Sequence, residues 1–297
     1  MTYGPSMDPS IDLILFGKER DIGGFSVRRV LPDIDRRTVG PFVFFDHVGP
    51  ASFGPGRGID VRPHPHIGLS TVTYLFEGEI VHRDSLGYVQ PIRPGAVNWM
   101  NAGRGIVHSE RTGGQERANA SRLHGIQSWV GLPVEQEEIA PGFFHHPAET
   151  LPEVELDRGR VRLIAGTLEG ATSPVESLSR IFYGDVTLEA GGGMALAAAL
   201  GERAVHVVEG EVRVGETTVA ATQMAVFNDG IDVELRAEAP ARAMVLGGAP
   251  LDGARHVWWN FVSSTRERIE QAKDDWRHGR FAGVPGDDEF IPLPEGA

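Results

Sequence analysis

The 297-residue chain contains no cysteine. That absence removes disulfides, thiolate metal ligands and cysteine nucleophiles together, and it favours a cytoplasmic setting. No apolar run approaches the length of a membrane span, and the N-terminal MTYGPSMDPSIDLILFGKERD has no basic segment ahead of its short apolar stretch. Neither a membrane segment nor a secretory signal is expected. Concentrated positive charge is missing as well: 28 Lys and Arg face 41 Asp and Glu, for a formal net charge of −13. Arg28-Arg29 and Arg36-Arg37 are too few to build the basic surface that direct nucleic-acid binding requires. Gly191, Gly192 and Gly193 are not followed by Lys-Ser/Thr, so no phosphate loop is indicated.

What remains is an ordinary globular composition, 41% hydrophobic and 23% charged, able to bury a real core. The length favours two medium domains over one. The 38 glycines and 20 prolines are spread along the chain and cut it into short segments of β-type composition, the pattern of a barrel or sandwich. Val72, Tyr74 and Phe76 alternate with Thr71, Thr73 and Leu75. A turn at Gly78, a second segment over 79–83 and a turn at Asp84-Ser-Leu-Gly87 complete a meander. An internal echo follows: Tyr74-Leu-Phe-Glu-Gly-Glu-Ile80 resembles His206-Val-Val-Glu-Gly-Glu-Val212, with Gly78 and Gly210 in equivalent places. The chain therefore reads as two related β domains with a Pro/Glu-rich linker near residues 133–160. At its end Ser264 and Glu267 form a capping box for a helix carrying Ile269, Ala272 and Trp276 on one face, stopped by Gly279. The Pro-rich segment 280–294 is expected to be extended, with Phe281, Phe290, Ile291 and Leu293 packed onto a domain.

Candidate chemistry concentrates in RPHPHIGLS, residues 62–70. In an extended segment, side chains two apart point the same way, so His64 and His66 can converge on one ion. Eleven histidines would give about 0.4 such pairs by chance, so the pair alone proves little. His108 and Glu110 repeat the spacing, and a meander can fold that segment across from the first. Three neutral imidazoles and one carboxylate suit Fe(II), Mn, Ni, Cu or Zn, and leave positions open for substrate. With no bulge between them, His64 and His66 would share a face with Val72, Tyr74 and Phe76, and His108 and Glu110 one with Ile106; Pro65 and Gly68 are the two places where that register can break. Asp46 and His47 are candidates for orienting an imidazole. His82-Arg83-Asp84 reads as a buried, hydrogen-bonded histidine beside a local ion pair. Arg104 is a candidate for holding an anionic substrate, and Trp99 and Phe76 for lining a pocket or filling core. Adjacent His145 and His146 point apart and make a poor chelate.

Gly58, His64-x-His66 and Gly78 have the outline of the first cupin motif, with Thr71 at the usual glutamate position and Asn98 near the usual second-motif histidine. Those departures are how the pirin family looks. Arg62-Pro-His-Pro-His66, His82-Arg-Asp-Ser-Leu-Gly87, Trp99-Met-Asn-Ala-Gly-Arg-Gly105, His108-Ser-Glu110, Gln127-x-Trp129-x-x-Leu132-Pro133, Trp258-Trp-Asn-Phe261 and Phe290-Ile-Pro-Leu-Pro294 all resemble pirin motifs. The resemblance implies an all-β chain of two jelly-roll-like cupin barrels in tandem with a short C-terminal helix. It implies a metal-binding cupin over 11–135, a linker over 136–160 and a second cupin over 161–297 that carries the terminal helix and tail. It also implies a single Fe(II) held by His64, His66, His108 and Glu110. Counting back from Gly210 by the interval from Gly78 to the histidine pair lands on Leu196 and Ala198, so no metal is expected in the second domain. His206 is expected to be a core histidine.

Two activities follow from the resemblance. The first is a quercetin 2,3-dioxygenase-like reaction, opening a flavonol with O2 and releasing carbon monoxide, with Glu110 as catalytic base. The second is a non-enzymatic iron-binding regulator of a transcription factor or metabolic enzyme. The expected partners are a small aromatic substrate with O2 or a protein, and neither nucleic acid nor a membrane.

Overall fold

The computed structural model describes residues 7–22 and 25–294. The chain is mostly strand and forms two cupin units. One unit gathers residues 46–148 with 251–294 and a short piece before residue 28; the other gathers 7–18, 28–45 and 149–250. Among the described residues no helix is long and apolar enough to cross a membrane.

In the first unit a four-stranded sheet runs in the order Asp60–His66, Ile106–Arg111, Ile80–Asp84, Val89–Ile92. In a second sheet Gly142–His146, Val97–Asn101, Leu69–Glu77, Ser121–Gly131 and Phe42–Phe53 are successive neighbours. Ile59, Leu75, Ile80, Ile92 and Leu123 are buried together in this unit's core. Asp60–His66 is an edge strand, which is where Pro63 and Pro65 cost nothing, because a missing N–H on the outer side breaks no ladder.

The meander and its echo are one device used twice. Gly78 turns Leu69–Glu77 into Ile80–Asp84 with φ of +90°, and Gly210 turns Glu202–Glu209 into Glu211–Val214 with φ of +72°. A Cβ at Gly78 would run into the Arg122 carbonyl, so the turn needs glycine for space as well as torsion. In the second unit a ten-stranded sheet wraps a core of Val161, Leu163, Phe182, Val186, Val205, Val207, Val212 and Val245. Leu196 lies in that core, and Ala198 opens a short 3-10 turn, Ala198–Leu200. His206 is fully buried with its ring 4.9 Å from that of Phe45.

Two local expectations fail, each for a physical reason. The face of Leu69–Glu77 turned toward the histidines carries Thr73, whose hydroxyl meets Glu110, while Tyr74 and Phe76 pack on each other with ring centres 5.7 Å apart. Ile67 and Gly68 form a corner between the two sheets, and Gly68 at φ +67° rotates the chain so that strand parity is not carried across. The C-terminal helix, Arg266–Arg277, is capped by Thr265, whose hydroxyl accepts from Arg268 N at 3.3 Å. Ser264 is instead drawn to the buried Glu137 carboxylate, through both its N–H and its hydroxyl.

Ile269 and Ala272 of that helix pack with Ile67 and Phe261, joined by Trp276, Phe281 and Leu293. The tail is fastened by Ile291 N donating to Pro63 O at 2.8 Å and by Trp276 Nε1 donating to Ile291 O at 2.9 Å. Arg111 adds ion pairs to Asp287 and Glu289 at 2.9 and 2.6 Å. Phe290 departs from expectation and stays 58% exposed.

The Gly68 corner generates the first prediction. A Cβ there would collide with the Val262 carbonyl, and the left-handed torsion itself costs a non-glycine residue about 1–2 kcal/mol. Gly68→Ala is expected to lower the unfolding free energy by at least about 2 kcal/mol in urea titrations, and an unchanged midpoint would mean that the corner is not constrained.

Candidate metal centre

The two strands predicted to carry ligands lie side by side. Antiparallel pairing sets Ile106 opposite His66 and His108 opposite His64, then slips so that Glu110 faces Val61. Two residues of the edge strand, Arg62 and Pro63, thus oppose the single Ser109 of its partner. This bulge falls at Arg62 and Pro63, where proline has no N–H to offer.

The result is a compact cluster of rings. Ring centres of His64 and His66 are 5.0 Å apart, those of His64 and His108 4.5 Å, and those of His66 and His108 4.9 Å. One nitrogen from each lies within 4.8 Å of the others. Nε2 of His66 and Nε2 of His108 are 3.1 Å apart. Two imidazoles at right angles on one ion, with metal–nitrogen bonds near 2.1 Å, would be about 3 Å apart, so the spacing fits a shared cation.

Outward contacts decide which nitrogens face that centre. His64 Nδ1 donates to Arg62 O at 2.8 Å and His66 Nδ1 to Asn260 O at 3.2 Å. A carbonyl only accepts, so both protons sit on Nδ1 and both Nε2 lone pairs point inward. His108 has no carbonyl partner of this kind; its Nδ1 lies 3.3 Å from Nδ1 of His82, whose Nε2 is 3.0 Å from Asp84 Oδ2. Trp129 covers His66 edge-on at 5.2 Å, and Phe143 stacks on His82 at 4.3 Å. All three cluster histidines are buried. Burial lowers the His64 pKa from the ordinary 6.5 to about 4 and holds His66 and His108 well below 6.5, so the cluster is uncharged at neutral pH and ready to bind metal.

Glu110 is on the same strand and face as His108, but its carboxylate stands apart from the three-histidine group. Its Oε1 lies 3.1 Å from Thr73 Oγ1, which in turn lies 2.8 Å from Gln127 Oε1. One hydroxyl proton serves one acceptor, so Glu110 keeps Thr73 as its donor when the Gln127 amide presents N–H to the same hydroxyl. Burial raises the Glu110 pKa, the Thr73 contact opposing that shift. The three-histidine donor set and its low-dielectric surroundings thus fit a divalent first-row cation, and Glu110 follows His108 two residues along the same strand.

Other expected participants are elsewhere. His47 Nε2 meets His124 Nε2 at 2.8 Å, whereas the outward contacts of His66 and His108 are with Asn260 O and His82 Nδ1. Trp99 is core, donating from Nε1 to Asn101 Oδ1 at 2.8 Å. Arg104 is exposed and its carbonyl accepts from Arg268. His145 Nδ1 pairs with Asn98 Oδ1 at 2.7 Å. A cavity of about 650 Å³ lined by Glu77, Glu79, Arg93, Glu116 and Arg122, and one of about 700 Å³ in the other unit, include none of the four candidate ligands, so neither is the substrate space of this centre. Gln127 and Asn260 lie in sequence motifs noted above and Thr73 in the meander, but none of the three was given a role at the centre; Asn260 lies 194 positions from the ring it orients.

Fold and cluster together define a two-cupin protein with, among the described residues, one buried histidine set that could hold a metal. Residues 24–130 match the Pirin family profile and residues 183–282 match the Pirin C-terminal cupin domain. The chain belongs to the pirin family. It is 52% identical to a pirin-like protein of Caulobacter vibrioides over 96% of this chain and all of that one. It is 40% identical to a Pseudomonas aeruginosa protein named "Putative quercetin 2,3-dioxygenase", over 86% of this chain and 80% of that one. The crystal structure of a quercetin 2,3-dioxygenase from Acinetobacter baumannii superimposes with a TM-score of 0.89 at 32% identity, covering 95% of this chain and 94% of that one.

The shifted titrations give a pH prediction for metal-free protein. The histidine pKa values are lower folded than unfolded, so their contribution to stability is complete above pH 6.5 and is lost as pH falls toward 4. Glu110 acts in the opposite sense, contributing below its ordinary 4.5 and losing that contribution as pH rises through its raised value. Urea denaturation from pH 7 to 4 is expected to show falling stability, with His64 alone accounting for on the order of 3 kcal/mol, and His64→Gln should flatten the curve. A wild-type profile with no slope in that window would mean the rings are solvated.

Proposed function

We propose that this chain is a metal-dependent dioxygenase, working with Fe(II), that opens a flavonol such as quercetin or a related enolic phenol with O2. Mn, Ni, Cu or Zn suit the same donors and compete with iron. The observation that carries the reading is the convergence of three neutral, buried imidazoles beside a carboxylate that none of them engages. The names borne by the Pseudomonas relative and the Acinetobacter structure support the substrate class. The missing cysteines favour a cytoplasmic place of work.

A bound divalent metal would supply Lewis acidity toward a substrate hydroxyl and the redox chemistry that O2 requires. The remaining work falls to side chains. His64, His66 and His108 bind on one side and leave the Glu110 side open to substrate. Glu110 takes the flavonol 3-hydroxyl proton on one carboxylate oxygen while Thr73 holds Oε1, and burial favours that step by making the carboxylate a stronger base. Trp129 and Phe143, packed on the surrounding rings, limit the access of water.

Protein purified without added metal is expected to carry about one divalent ion per chain, and the His64, His66, His108, Glu110→Ala variant none, by elemental analysis. Iron-loaded wild type should consume O2 and release carbon monoxide with quercetin in an oxygen-electrode assay, and His108→Ala should abolish both. Full metal occupancy without turnover on any flavonol would remove the substrate assignment and leave an iron-dependent regulator.

A further inference from the structure

Two of the three ring nitrogens turned inward are fixed by backbone carbonyls, and the third is not. His108 is positioned instead by a second histidine, and that histidine by a carboxylate. Asp84 is fully buried and locked in orientation, because its Oδ1 accepts from Leu86 N at 2.9 Å and from Tyr88 N at 3.1 Å. Those two backbone donors cannot reverse. Oδ2 is therefore presented to His82 Nε2 at 3.0 Å, and stacking on Phe143 holds the His82 ring in place.

The order of protons follows from what each atom can do. A carboxylate only accepts, so His82 carries its proton on Nε2 and offers a lone pair at Nδ1. The atom facing that lone pair is His108 Nδ1 at 3.3 Å, which must then be the donor. His108 Nε2 is left with a lone pair aimed at the centre, facing the His66 Nε2 lone pair at 3.1 Å. Run in the opposite order, the chain would put a proton on His108 Nε2 and close a hydrogen bond to His66 where the ion belongs.

Building on the metal-site reading above, we propose that Asp84 and His82 are positioning residues whose hydrogen-bond relay selects the His108 tautomer and so decides whether the third imidazole can bind metal. Outer partners of this kind are worth about 10–100-fold in metal affinity. Asp84→Asn tests direction and spares the turn, because Leu86 and Tyr88 still require an oxygen, which forces the amide N–H toward His82. His82 then becomes protonated on Nδ1 and His108 on Nε2.

Imidazole ¹⁵N NMR of metal-free protein should show His108 protonated on Nδ1 in wild type and on Nε2 in Asp84→Asn. Chelator competition with Co(II), followed through its visible spectrum, should show affinity about 10–100-fold weaker in that variant. His82→Asn keeps an oxygen near the position of Nδ1, so it should retain affinity within about threefold, and Asp84→Asn should add nothing in that background; His82→Leu should lose affinity even if Asp84→Asn does not fold. An unchanged His108 tautomer and unchanged Co(II) affinity in Asp84→Asn, or an equal loss in the His82→Asn background, overturns the relay. Wild type that fails to bind Co(II) overturns the metal site instead, and the tautomer measurement still decides the relay.

Discussion

The first unit depends on the withdrawal of three imidazoles from water with their unprotonated nitrogens turned to one point. Desolvation keeps them neutral, as the lowered pKa values of His64, His66 and His108 record. Hydrogen-bond direction keeps their lone pairs inward. Each condition fails without the other, since a neutral ring in the wrong tautomer presents a proton to the ion and a correctly turned but solvated ring spends time charged. The surrounding architecture supplies both. Strand pairing of Asp60–His66 with Ile106–Arg111 delivers the rings, Arg62 O and Asn260 O accept from His64 and His66, and His108 faces the His82–Asp84 pair proposed to orient it.

Much of this was legible in the sequence. The HxH and HxE spacings identify residues that alternate onto one face, and for both strands the structure keeps that alternation. What the spacing could not convey is which of the two possible break points, Pro65 or Gly68, turns the corner between the sheets. Gly68, with its positive φ, lies outside any two-residue period, and it exchanges the apolar row of Val72, Tyr74 and Phe76 for the polar row that includes Thr73. Thr265 displaced Ser264 as helix cap for a similar reason, since a buried Glu137 far away in sequence competes for Ser264. The role of His82 was half visible: its bond to Asp84 is local, whereas its contact with His108 depends on a strand pairing that no short motif encodes. Asn260 was visible as part of the Trp258-Trp-Asn-Phe261 motif, but its carbonyl contact with His66 had no sequence signal, because any residue presents a carbonyl.

The two units show how little of a cupin repeat concerns metal. Both keep the glycine turn after the long strand, with Gly78 and Gly210 at positive φ, because backbone crowding there is independent of what the barrel holds. The interiors differ. One unit places histidines between its sheets and must orient every ring nitrogen; the other fills the same kind of space with valine and leucine, which need no partners. Retention of the turn together with divergence of the interior explains why the echo was detectable at the Glu-Gly-Glu turn and absent at the ligand positions.

The unit that carries the histidine cluster is also discontinuous in sequence, and that has energetic consequences. Residues 251–294 supply the carbonyl that orients His66, the Ile291 N–H that bonds Pro63 beside His64, and the carboxylates of Asp287 and Glu289 that clamp Arg111 next to Glu110. Each ligand strand is therefore held from outside by the last part of the chain. A cation that prefers the ordered arrangement of the rings must, by linkage, also favour docking of that segment, and docking must in turn tighten the grip on the cation by the same factor. The interactions involved are few, but they act at residues adjoining the three histidines, where 3.1 Å between two ring nitrogens suits a shared ion when both are unprotonated and an ordinary hydrogen bond when one carries a proton.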